Sequence, residues 1–280
     1  MAKQLDPNWL VMQGATENDR EKVRHILKRR EEALGAHKFY TEDDFVTLTL
    51  GSNLISLRQC AASSSIEVYD EIFRENDHFL HEEFSVSGAE FVLDIGANEG
   101  FYALRAATTN PGVRIVCVEP NPFAFEILVK NMENNALENV IPVNAAVSSD
   151  GRPIGMEFVR QISAIGGARL RDMNRPWLPE DVVDKRTVSS ITIKGLLRRY
   201  SFPRVDILKV DVEGMEDEIM GSLEPIAGRI RRIVVERHSR KLRDVVKNRL
   251  LRLGFKLVLE EDPECERYYG DLYFINEGVN

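Results

Sequence analysis

The stretch EFVLDIGANEGFYA, residues 90–103, decides how the chain is read. Phe91 to Ile95 form a short, nearly continuous apolar run, the mark of a strand buried on both faces. Gly96 and Gly100 then let the backbone turn sharply into a helix and approach a ligand with no Cβ in the way. The order strand, glycine turn, helix opens a βαβ unit, but the details depart from a dinucleotide fingerprint. The spacing is G-x-N-x-G, Phe101 stands where Gly or Ala is usual, and Asp94 lies two residues before the first glycine. A carboxylate there would repel a pyrophosphate. It suits a cationic ligand such as the sulfonium and amino group of S-adenosylmethionine. The bland alternative is a tight turn with no ligand.

Working outward, further apolar runs follow: RIVCVEP (114–120), VIPVNAAV (140–147), VDILKVDV (205–212), RRIVVER (231–237), FKLVLEE (255–261) and DLYFIN (271–276). Helical spacing covers roughly 100–108, 122–134, 215–224 and 240–253. Alternating strands and helices predict an α/β fold, a doubly wound, mostly parallel seven-stranded sheet. The last two strands have no helix between them and should pair antiparallel. Before this core, residues 1–86 read as an α+β extension. It holds a helix over 16–38, capped by Thr16 and Asp19, with Val23, Ile26, Leu27 and Leu34 inward. A hairpin over 45–60 and a short helix in SIEVYDEIFREN, with Val68, Ile72 and Phe73 inward, complete it. Residues 87–280 form the main domain. Within it, the polar piece 148–190, with Gly166-Gly167 and NRPWLPED, predicts a mobile insertion over the acceptor side of the ligand face.

Doubly wound sheets bind ligands at the carboxyl ends of their strands, where strand order reverses. Glu119 ends the second strand, placed to accept hydrogen bonds from two ribose hydroxyls, with Pro120 beside it. Asn144 and Ala145 close the third, where an amide and a backbone N–H can read an adenine edge. The fourth, ILKVDVEGMEDEIM (207–220), sets Ile207, Lys209, Asp211 and Glu213 on one face. Unpartnered buried charges cost several kcal/mol, so Lys209, Asp211 and Glu213 ask for a role. Glu216, Asp217 and Glu218 need none, since carboxylates in a helix's first turn favour its dipole by roughly 0.3–1 kcal/mol each. On the next strand Glu236 and His238 alternate onto one face, beside Asp211 and Glu213.

Composition bounds the alternatives. The 280 residues are 43% hydrophobic and 29% charged, with a net charge of −8. Apolar content suffices for a sizeable core. No run reaches the roughly 18 apolar residues of a membrane helix, so no membrane partner is expected. The N-terminus has no secretory h-region, and a cytoplasmic location is the expectation. Cys60, Cys117 and Cys265 are too sparse for a disulfide framework or a zinc site. Residues 229–256 carry eleven Lys and Arg against Glu236 and Asp244. That stretch reads as a solvated helix face, or alternatively as a phosphate-binding surface. No feature fixes an oligomeric state.

FVLDIGANEGFYALRAA, VCVEPNPFAFEILVKNMENN, VNAAVSSDG, VDILKVDVEGMEDEIMGSL and IVVERH occur in that order, preceded by SSSIEVYDEIFREND. Together they resemble the FkbM-type family of S-adenosylmethionine-dependent methyltransferases over roughly residues 63–276. LKVDVEG after LDIGANEG is more specific than either motif alone. The resemblance implies a Rossmann-like class I methyltransferase core. Asp94, Gly96, Ala97, Asn98 and Gly100 would surround the methionine end of the cofactor, and Asp211 would lie beside it. Glu119 with Pro120 would hold the ribose, and Asn144 with Ala145 the adenine. Family members mostly methylate hydroxyls of natural products or sugars. Two departures bear on the acceptor. The usual LDDLL-like segment reads TIKGLL at 192–197, without its acids, and methionines follow Gly214 and precede Gly221.

A hydroxyl acceptor needs a base or a metal to remove its proton. Asp211 or His238 is expected to take it, with Glu213 and Glu236 orienting it and Lys209 holding the acids together. A variant uses Asp211, Glu213 and Glu236 to bind Mg²⁺, since clustered oxygens suit a hard cation. Three other readings stand behind it: an RNA methyltransferase using 229–256, a non-catalytic cofactor-binding protein, and an NAD-dependent oxidoreductase. The last is weakest for want of a third glycine.

Overall fold

The computed structural model describes residues 5–36, 40–75, 79, 81–162, 166–167, 183–265, 267 and 269–279. Local signals set the N-terminal layer. Asp6 accepts a hydrogen bond from the Trp9 amide and, with Pro7 in the first turn, starts α1 (Pro7–Gln13), a helix the sequence reading passes over. Thr16 and Asp19 then exchange amide bonds in a capping box that opens α2 (Glu17–Ala36). The hairpin β1 (Phe45–Leu50) and β2 (Asn53–Arg58) follows, and then α3 (Ala62–Phe73).

The main fold begins with β3 (Phe91–Ile95), α4 (Phe101–Thr109), β4 (Arg114–Val118), α5 (Pro122–Asn134) and β5 (Val140–Val143). A side layer comes next: β6 (Ala146–Val147), β7 (Ile154–Val159), β8 (Gly166–Gly167), β9 (Val183–Val188) and β10 (Ser190–Ile191). The chain closes with α6 (Ile193–Arg199), β11 (Ile207–Val210), α7 (Glu216–Gly221), β12 (Arg232–Arg237), α8 (Arg240–Arg252), β13 (Lys256–Glu260) and β14 (Gly270–Ile275).

Seven strands line up as β13-β14-β12-β11-β3-β4-β5. The five from β12 to β5 are parallel, whereas β14 runs antiparallel to both of its neighbours. This is the doubly wound α/β sheet expected, with the antiparallel pair at its end. The insertion of β14 between β12 and β13 is an added detail. Strand order reverses between β3 and β11, so the crevice opens there.

Each strand divides its side chains between two cores. Val92, Ile115, Val140 and Ile207 face α4 and the N-terminal layer, together with Val23, Leu57, Ile66 and Tyr69. Leu93, Val116, Leu208 and Val235 face α6, α7 and α8. The N-terminal layer thus shares a core with the sheet. Tyr69 stacks on Phe73, meets Phe101 edge-on at 5.7 Å, and Phe79 stacks on Tyr102 at 4.8 Å.

Three boundaries differ from expectation. Residues 140–147 are not one strand: β5 stops at Val143, and β6 pairs with β10 instead. The helix expected over 215–224 ends at Gly221, and Pro225 starts a separate 3₁₀ turn, Glu224–Arg229. In 148–190, β7 and β9 form a six-pair antiparallel ladder from Ile154↔Val188 to Val159↔Val183, with β8 on the other side of β7. That ladder packs Met156 and Phe158 on Phe123 and Ala146, so this part is ordered sheet and not a mobile loop. NRPWLPED lies outside the described residues. Among the described residues no helix is long and apolar enough to cross a membrane.

Candidate active site

At the switch point β11 lies beside β3 with Lys209 opposite Asp94. Both side chains are buried under α4, and their charges meet each other. The Lys209 ammonium donates to the Gly96 carbonyl at 2.9 Å and contacts Asp211 Oδ2 at 3.3 Å and Asp94 Oδ1 at 3.4 Å. Burial alone would lower its pKa, but the carboxylates of Asp211, Asp94 and Glu236 outweigh that and hold it above the ordinary lysine value. The ion cluster therefore ties the glycine turn to the end of the fourth parallel strand. Gly96 itself, at φ 78°, is required by close approach, since a Cβ there would fall 1.6 Å from the Asp211 carbonyl oxygen.

The turn after β3 is fixed from the other side by Glu119, just past β4. Its Oε2 accepts the Asn98 amide at 2.8 Å and its Oε1 the Asn121 amide at 2.7 Å. Burial dominates its titration and pushes the pKa up to about 7, against the opposing effect of those two amides. Asn98 adopts φ 49°, a left-handed conformation rare outside glycine, and its side-chain oxygen is buried without a hydrogen-bond partner among the described residues. An acceptor held ready in this way fits a ligand that carries an amino group.

The third group sits where β11 and β12 end. β11 stops at Val210, so Asp211 and Glu213 lie in the following turn and not on the strand. Glu213, at φ 50°, and Gly214, at φ 101°, reverse the chain and bring Glu213 back over the site. His238, just past β12, is almost wholly buried. Its Nε2 stands 3.8 Å from Asp211 Oδ1 and 3.7 Å from Glu213 Oε1, and its Nδ1 lies 2.7 Å from Glu216 Oε1. Burial would lower the imidazole pKa, yet Glu213, Glu216 and Glu236 together hold it well above the ordinary histidine value. Glu216 corrects the sequence reading. It is 0% exposed, and a dipole contribution of roughly 0.3–1 kcal/mol does not compensate several kcal/mol of desolvation. Its partners do: His238, and the Gly214 amide at 3.0 Å.

The Mg²⁺ set expected from Asp211, Glu213 and Glu236 fits poorly. Asp211, Glu236 and His238 bring donor atoms within 4.8 Å of one another, so a nitrogen stands in the cluster. The imidazole lies against the Asp211 and Glu213 oxygens, with Lys209 on the far oxygen of Asp211. A hard ion that prefers six oxygens has little claim on such a place.

These groups line one cavity of about 480 Å³. On one side are Gly96, Ala97, Asn98, Glu119, Pro120 and Ala145, and on the other Lys209, Asp211, Glu213, Glu236 and His238. Three expected cofactor contacts stand outside the lining. Asp94 is wholly buried behind Lys209, whose ammonium is the charge partner that a buried carboxylate needs. Gly100, at φ 84°, turns the chain into α4. Asn144 points its amide at the Glu119 carbonyl, 2.8 Å away. Sequence reasoning also missed contributors. Asn121, the N-cap before Pro122, was findable from its Asn-Pro signal. Ser64, Glu67, Val68 and Glu71 of α3 form a wall, and Ser65 donates to Glu99 of the glycine turn at 2.7 Å. No local pattern marks that contact across 34 positions.

The basic stretch behaves differently. Arg229 and Arg232 donate to backbone carbonyls, Arg237 pairs with Asp262, Arg243 and Lys247 with Glu260, Arg249 binds the Asp217 carbonyl, and Lys256 pairs with Glu277. Most of its charge is tied within the chain.

Residues 94–257, more than half of the chain, match the family model described as the methyltransferase FkbM domain. The chain is 29% identical over 203 residues to methyltransferase sdnD of Sordaria araneosa, covering 62% of this chain and 76% of that protein. It is 27% identical over 221 residues to the 31-O-demethyl-FK506 methyltransferase FkbM of Streptomyces tacrolimicus, covering 70% and 84%. Hexuronic acid methyltransferase AglP of Haloferax volcanii is 26% identical over 187 residues, covering 64% and 71%. Among solved structures, M. jannaschii TYW2 in complex with AdoMet aligns at 17% identity and a TM-score of 0.44, covering 85% of this chain and 89% of that one. With its glycine turn, strand-end acids and family match in agreement, the chain belongs to the FkbM family of S-adenosylmethionine-dependent methyltransferases.

Proposed function

We propose that the chain methylates a hydroxyl group on a small-molecule or sugar-like acceptor. Family membership sets aside the oxidoreductase and non-catalytic readings. The observation that carries the proposal is the opposition of two linings in one cavity. The glycine turn and Glu119 face the ionisable groups Asp211, Glu213, Glu236 and His238.

S-adenosylmethionine supplies, when bound, an electrophilic methyl group on a sulfonium. Asn98 would accept from its amino group and Glu119 from its ribose hydroxyls, with Ala97, Pro120 and Ala145 beside it. Asp94 acts at one remove, by holding Lys209 on the Gly96 carbonyl. For the acceptor, Asp211 would take the hydroxyl proton while the oxygen bonds the methyl carbon; the carbon–sulfur bond would break in the same displacement, and the sulfur would leave as the neutral thioether S-adenosylhomocysteine. His238, charged near neutrality, offers Nε2–H to the oxygen as negative charge builds there. Glu213 and Glu236 hold the imidazolium in place. Val212 and Met215, next to Asp211 and Glu213 in the lining, are apolar. Relatives named for a demethyl-FK506 and a hexuronic acid support an acceptor of this chemistry.

The test supplies methyl-labelled S-adenosylmethionine to the enzyme with lysate fractions separated into small molecules, RNA and protein. Label is expected among the small molecules, as a methyl ether. Label confined to RNA or protein would overturn the acceptor assignment.

A further inference from the structure

The three acids that open α7 are not equivalent. Asp217 and Glu218 are half-buried, and Glu218 accepts from the amide and hydroxyl of Ser149. Glu216 instead lies beneath the site, against His238 Nδ1 and the Gly214 amide. One ring nitrogen is thereby committed to Glu216. Its other nitrogen faces Asp211 and Glu213 at the wall of the cavity. The Gly214 contact matters too, since it ties the same carboxylate to the reversal that carries Glu213 over the ring. Among the described residues, the charged groups facing the imidazole are Asp211 and Glu213 from the turn after β11, Glu216 from α7, and Glu236 from β12.

We propose that Glu216 is a positioning residue for methyl transfer, fixing the His238 ring so that Nε2 presents its proton to the acceptor oxygen. A carboxylate on the far nitrogen of a histidine sets both ring orientation and the site of protonation. Its negative charge also opposes loss of the second ring proton, in line with the raised pKa. The inference rests on the reading that the acceptor lies against Asp211 and His238.

The test is Glu216→Gln, which keeps the shape and an acceptor for Gly214 while removing the charge. The expected result is a fall in kcat of roughly tenfold or more, with KM for S-adenosylmethionine within about twofold. The alkaline limb of the kcat profile should move to lower pH, because the imidazolium loses a stabilising neighbour. Glu216→Asp should recover part of kcat. A lowered Tm with kcat and the pH limb unmoved would mean a purely structural pair and overturn the proposal. A second measurement is independent of acceptor and variant: ¹⁵N chemical shifts of the His238 ring in the wild-type chain. Protons on both nitrogens at neutral pH are expected, and a neutral ring at pH 7 would overturn the inference even if the variant fails to fold. Charged-ring shifts without any methylated hydroxyl product would sink the acceptor reading and leave the Glu216–His238 pair standing.

Discussion

Two regions of the molecule are rich in charge, and they use it in opposite ways. Along 229–256, cations dominate the sequence, yet their side chains end on carbonyls and carboxylates of neighbouring elements. At the ends of β11 and β12, charges of both signs converge on one cavity and remain part of its wall. The density of charge in sequence therefore says little about recognition. What separates the regions is where each charge finds its partner. In the basic stretch the partners fasten helix to strand. At the strand ends, the partners are other ionisable groups already held in the crevice where strand order reverses.

The sharpest way to break this contrast is Asp211→Asn. Turnover should fall by roughly 10²–10⁴, the usual span for a general base, while S-adenosylmethionine affinity measured by calorimetry changes by less than about threefold. Unchanged turnover would remove Asp211 from the chemistry. Lys209→Met comes next. It removes the buried cation that Asp94 and Asp211 share, so unfolding in urea should show a loss of about 3–5 kcal/mol. A loss under about 1 kcal/mol would mean the cluster does not hold the glycine turn. Glu119 offers a subtler test through pH. Its carboxyl, raised to about 7, is neutral below that value and ionised above it, and the ionised form is the better acceptor for ribose hydroxyls. Affinity for S-adenosylmethionine should rise up to about tenfold per pH unit on approaching neutrality from below and then level off. Glu119→Gln should bind more weakly and show a flat profile. A wild-type profile without that rise would detach Glu119 from the ribose. The smallest effect is expected in the basic stretch. Lys247→Ala, which loses its pair with Glu260, should cost less than about 1 kcal/mol and leave turnover unaltered. A marked fall in turnover would erase the distinction between the two regions.

Much of this was legible beforehand because parallel strands are buried on both faces and announce themselves as apolar runs. The runs beginning at Phe91, Arg114 and Val205 each yielded a strand within a few residues. Lys209, Asp211, Glu213, Glu236 and His238 stood out for a related reason, as charges where a buried strand should carry none. Glu216 did not, since an acid in a helix's first turn has an adequate local explanation and its pairing with His238 spans 22 positions. The contribution of α3 was hidden likewise, because an amphipathic helix reveals that it packs but not on what. Asn144 shows the other limit: its place at a strand end was legible, but the rotation of its amide toward the Glu119 carbonyl is decided by tertiary geometry.

The contact between α3 and the glycine turn has a consequence for how the chain breathes. Ser65 bonds to Glu99, and Asn131 bridges the Glu99 carbonyl and the Ser56 amide, so both parts of the N-terminal layer are anchored to the turn that would receive the cofactor. Any ligand that steadies that turn must also oppose local opening of residues 53–73, in proportion to its saturation. Amide hydrogens of α3 should then exchange more slowly when S-adenosylmethionine is added, although most of them lie outside the cavity. A truncation that starts at residue 87 would lose this linkage, along with the aromatic cover of Phe101 and Tyr102.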